Sequence, residues 1–137
     1  MAKVVSMKNW RRLKKDDNAQ ALVEFALVLP ILILLVLGMI EFGWLLNGKI
    51  TLNSAAREGA RAGVVLDATG ADLKNQVMNT VTATTNLSGL TINSGGSSVT
   101  KVNDYIVVTV KAEIDPIIGL YVSNKVAMTS EAKMRCE

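Results

Sequence analysis

Two carboxylates stand out as residues whose type and position could do chemistry. Glu24 and Glu41 are the only charges in residues 21–46, and no charge lies between them. A carboxylate at an apolar zone costs several kcal/mol unless it is paired, so a charge in such a place is a functional candidate by default. Other constellations are weaker. Asp67 and Asp72 suit helix caps better than a catalytic pair. Glu58 and Arg61, three apart, can form an ion pair on a solvated helix face. The Ser-Gly-Gly-Ser-Ser run at 94–98 lacks the Lys and the strand–helix context of a phosphate loop. The chain has no His and one Cys, which removes His-based acid–base chemistry, zinc sites built on His or paired Cys, and an intrachain disulfide. Cys136 is either a loose tail thiol or half of an intermolecular disulfide. No nucleophile–base pair and no metal-ligand spacing is found. The reading is of a protein that is not an enzyme, with no catalytic, cofactor-binding or metal site, whose function lies in its surfaces.

The element that positions the two carboxylates is an apolar run. Residues 25–40 contain no polar side chain. A helix rises about 1.5 Å per residue, so roughly 20 apolar residues cross the hydrocarbon core of a bilayer. With its near-apolar flanks the run predicts one membrane-spanning helix over about 21–46, continuing as a polar-faced helix to about 66. Pro30 lacks the N–H that would bond the carbonyl of Ala26, so a kink or loosened turn is expected there. Phe42 and Trp44 follow Glu41, and aromatics at a membrane edge commonly sit at headgroup level. Glu41 itself is either a second assembly contact or an interface residue.

The net charge of +3 is unevenly placed. Lys3, Lys8, Arg11, Arg12, Lys14 and Lys15 precede the apolar run, against Asp16 and Asp17, so the head carries +4 and the remainder −1. The basic balance belongs to the head. It reads as a topology signal, with the N-terminus inside and the body outside the cytoplasm, and no nucleic-acid partner is expected. Past Ile40 the chain has bulky residues where ordinary signal cleavage needs small ones.

The segment Ala-Gln-Ala-Leu-Val-Glu-Phe-Ala-Leu-Val-Leu-Pro at 19–30, Glu-Phe-Gly at 41–43 and Ala-Ala-Arg-Glu-Gly-Ala-Arg at 55–61 resemble the TadE-like family, the pilin-like proteins of tight-adherence pilus systems. These segments bracket about a third of the chain. The resemblance implies a type IV pilin-like subunit whose basic leader, residues 1–19, is removed by a prepilin peptidase between Ala19 and Gln20. Ala19 stands where the family generally has Gly. It also implies that Glu24, the fifth residue after that cut, neutralises the N-terminal amine of a neighbouring subunit during assembly. Pro30 and Glu41 join it as candidate assembly residues. The implied partners are other copies or other pilins, the peptidase, the pilus assembly platform and, before assembly, membrane lipid.

Beyond the membrane segment, Ala55, Gly59 and Gly63 recur at four-residue spacing, with Leu52, Ala56 and Ala60 on the same side. Small residues so spaced let two backbones approach closely, either against the chain's own body or against a neighbour. The remainder, 67–137, reads as a small extracytoplasmic domain. Leu73, Val77 and Val81 predict a second helix from Asp72 to about Thr85. A turn and short strand are expected over 86–93, a flexible turn at 94–98, and strand again over 99–102. Residues 105–114 alternate strictly, with Ile106, Val108, Val110, Ala112 and Ile114 on one face. Residues 125–135 alternate likewise. The apolar, Gly-interrupted stretch 116–122 is either a short helical plug or a surface patch, with Ile117, Ile118 and Leu120 as a possible lateral contact. The fold class is α+β: a long N-terminal membrane or filament-core helix, then a second helix and a mostly antiparallel sheet of three or four strands. The function expected is a structural pilin-like subunit, major or minor, in the cytoplasmic membrane and then in a cell-surface pilus. The alternative is a membrane-anchored extracytoplasmic binding or pilus-assembly accessory module that does not polymerise.

Overall fold

The computed structural model describes residues 17–66 and 69–136. The basic head and Asp67 lie outside them. Five elements follow in order: α1 (Asp17–Val65), α2 (Gly70–Thr84), β1 (Leu90–Val102), β2 (Tyr105–Ile114) and β3 (Val126–Arg135). The chain divides into two compact units, one ending at Met39 and one beginning at Ile40.

The described part of the first unit is helical throughout, and α1 continues through Pro30. Its large apolar side chains from Leu22 to Met39 are exposed, between 37% and 71%, except Leu37, which is half-buried. They surround the helix without a polar face.

The second unit is the remainder of α1, then α2 and a three-stranded antiparallel sheet in the order β1-β2-β3. Strand β2 is central, and its alternation sets the core. Ile106, Val108, Val110, Ala112 and Ile114 are buried, as their period of two requires. The register pairs Val108 with Ala132 and Val110 with Ser130, which continues the buried face onto β3. Leu73, Val77 and Val81 of α2 and Leu52, Ala55, Ala56 and Ala60 of α1 join the same cluster. Fully burying a Val or Ile side chain contributes about 1.5–3 kcal/mol.

One expectation is corrected and one of two alternatives is excluded. Residues 94–98 are not a turn between two short strands. They lie inside one long β1, as an irregularity between the pairs Asn93–Lys111 and Ser98–Thr109. Four residues of β1 there face one of β2. The residues on both sides find partners on β2, so the flexible run is absorbed as a bulge. Ser97 replaces the missing ladder contacts: its hydroxyl donates to the Asn93 carbonyl at 2.7 Å and accepts from the Lys111 N–H at 3.0 Å. Stretch 116–122 forms no helix. It is an irregular loop in which Gly119 holds φ +67, a conformation that glycine adopts without steric cost.

Helix α2 begins at Gly70, two residues earlier than expected, after Thr69 in extended conformation. Asp72 then sits in the first turn, where its charge complements the helix dipole. The β-branched end is helical to Thr84, and the hydroxyls of Thr80, Thr82, Thr84 and the C-cap Thr85 each donate to the carbonyl four residues back.

Candidate functional site

Three features carry the residues singled out above. The first is the apolar part of α1. Ala19 is half-buried and Gln20 exposed near the start of the helix, and Glu24 is exposed between the exposed Val23 and Phe25. The window is apolar and long enough to cross a membrane, with a mean hydropathy of 2.8.

The second feature is built on the part of α1 that belongs to the second unit. Glu41 is 2% exposed. Its Oε1 accepts the N–H of Gly119 at 3.0 Å, whereas Oε2 is buried with no hydrogen-bond partner among the described residues. One turn on, Trp44 donates its indole N–H to the Asp115 carbonyl at 3.1 Å. Lys49 donates to the Thr129 carbonyl. Ser130 donates to Asn53 Oδ1 at 2.6 Å. One side of α1 is thus a row of polar anchors, at 41, 44, 49 and 53, that fixes the β2–β3 connection and the start of β3. The base of that connection is closed by an ion pair of 3.2 Å between Lys125 and Asp115. Above the base, Ile117, Leu120 and Tyr121 are 56%, 51% and 58% exposed, and Ile118 is half-buried. Glu41 was singled out by its lone charge. Trp44, Lys49 and Asn53 were missed as anchors, and only their shared side of the helix with Leu52 and Ala56 hinted at them.

The third feature is the small-residue face. Ala55, Gly59 and Gly63 are all buried. A Cβ added to Gly59 would lie 2.6 Å from Val81 Cγ2, and one added to Gly63 would lie 2.3 Å from Ile106 Cδ1. The close approach is therefore made to α2 and β2 of the same chain. Glu58 and Arg61 lie away from this face, lining an open groove with Gln76, Asn79 and Thr80. Cys136 is half-buried, with a free thiol and a backbone N–H that donates to the Asp104 carbonyl.

These features define a small α+β unit carried on a helix whose apolar first half has no cover of its own. Residues 19–61 match the model of the family described as TadE-like protein, the family that the sequence resembles. The match runs from the start of the apolar helix to the small-residue face. Comparison with curated proteins and with solved structures gives no significant match. The match to the TadE-like family, over residues 19–61, points to a pilus, and the apolar helix suggests membrane anchoring.

Proposed function

We propose that this chain is a structural, pilin-like subunit, major or minor, of a tight-adherence or type IV-like pilus, assembling through α1. One observation carries the reading. The apolar half of α1 is exposed on every side, and none of its most apolar window is buried within the chain. Such a surface demands lipid or copies of itself, because exposing it to water costs about 25 cal/mol for each Å². On this reading the basic head holds the N-terminus inside, the prepilin peptidase cuts between Ala19 and Gln20, and α1 leaves the bilayer for the centre of a filament. Glu24 then sits near the new N-terminus, where it neutralises the amine of a neighbouring copy. The role is structural and not catalytic.

The test is mass spectrometry of the mature chain together with fractionation of sheared surface material. A chain beginning at Gln20 and found in the sheared filaments is the expected result, and Glu24→Ala should remove it from them while leaving it in the membrane. A full-length chain that never leaves the membrane fraction would refute the proposal.

A further inference from the structure

Strand β2 runs antiparallel to α1. Ile114 lies against Gly48, and Ile106 lies against Gly63. Fifteen helical residues separate those positions, about 22 Å along the axis. The second unit therefore has two distinct ends. At one is the tight β1–β2 hairpin at Asn103 and Asp104, where Val102 pairs with Tyr105. At the other is the loop 116–122, tied to α1 at Glu41 and Trp44, the first residues after the apolar run.

The loop's composition matches its place. Ile117, Leu120 and Tyr121 project outward, although Pro116, Ile118 and Val122 are at least half-covered. Ile40 and Phe42 are exposed on α1 at the same level. Aromatic and aliphatic side chains with Lys125 at the base of the loop are what a headgroup boundary accommodates. The loop is also held rigidly. Glu41 fixes the Gly119 backbone, Trp44 fixes Asp115, and the Lys125–Asp115 pair closes the base. A buried carboxylate that binds a backbone N–H through one oxygen and leaves the other bare is a costly tether. It is placed where it sets the direction of the exposed side chains.

We propose that the loop 116–122 is a second membrane contact: Ile117, Leu120 and Tyr121 enter the headgroup–acyl boundary of the bilayer from which α1 emerges. This rests on the reading of α1 as a membrane anchor. The unassembled chain is then held at two points, and the hairpin lies at the end of the second unit opposite the loop.

The test uses the full chain with Cys136→Ser, carrying one new cysteine at a time, Ile117→Cys, Asp104→Cys or Ile33→Cys. Each is labelled with an environment-sensitive fluorophore and reconstituted into phosphatidylcholine–phosphatidylglycerol vesicles with spin-labelled lipid as quencher, the spin label shallow for positions 104 and 117 and deep in the acyl chain for position 33. At 117 the emission should shift to the blue and fall about twofold, as for a group lying at the interface, and the label at 104 should be unaffected. Quenching at 33 without quenching at 117 would overturn the loop contact while leaving the anchor intact. An unquenched label at 33 would remove the anchor and the proposal together. A 117 cysteine that crosslinks to another copy and stays unquenched would assign the loop to a contact between subunits, and so overturn the proposal.

Discussion

Exchanging glycine for alanine on α1 should have opposite effects at two positions. In a helix interior Ala is favoured over Gly by about 1 kcal/mol. At Gly43 a new Cβ meets nothing within 4 Å, so Gly43→Ala should stabilise by about that amount. At Gly59 the same atom would come 2.6 Å from Val81 Cγ2 and 3.2 Å from Val77 Cγ1. Both valines are fully buried, and their branched side chains have little rotamer freedom to yield. Forcing a methyl group into such a site costs about 1–3 kcal/mol. The net change at Gly59 should therefore be a loss of about 0–2 kcal/mol, and the two variants should differ by about 1–3 kcal/mol. Urea unfolding in mild detergent, followed by Trp44 fluorescence in a Trp10→Phe background, measures both. If Gly59→Ala is as stabilising as Gly43→Ala, α1 and α2 are not in close contact, and the packing argument for the small-residue face fails.

Other outcomes follow from the anchors and the core. Glu41→Ala removes the acceptor of the Gly119 N–H; amide exchange at Gly119 should accelerate and stability should fall by about 1–3 kcal/mol, while Glu41→Gln, which keeps an acceptor oxygen, should retain most of the protection. In a double-mutant cycle, Asn53→Ala and Ser130→Ala should show a coupling of about 0.5–1.5 kcal/mol, measured by denaturant unfolding. Ile114→Ala, at a fully buried site, should cost about 2–5 kcal/mol. Ile117→Asn, at an exposed one, should change stability by no more than about 0.5 kcal/mol in the same assay.

What could be read from the sequence was what local periodicity encodes. The strict alternation at 105–114 and 125–135 marked β2 and β3 together with their buried faces. Leu73, Val77 and Val81 marked α2, and the uncharged run marked the apolar half of α1. Bulge and tether were illegible for different reasons. The glycines and serines at 94–98 carry turn composition, and only the partners waiting on β2 make them part of a strand. The tether joins Glu41 to Gly119, 78 residues apart. No local pattern announces a bond of that length. The small residues at 55, 59 and 63 announced a close approach, but spacing alone did not tell whether the surface they meet belongs to the same chain.

The placing of Leu52, Ala55, Ala56 and Ala60 in the core has a practical corollary for anyone making a water-soluble version of this protein. A truncation that starts where α1 ends would discard an entire wall of the domain and strip the cover from Val77, Val81 and Ile106. The boundary that respects the packing is at Ile40, within a helix and not at its end. A shortened gene starting there would still encode the exposed Phe42, Leu46 and Ile50, and polar replacements at those three positions are the natural first step towards a soluble product.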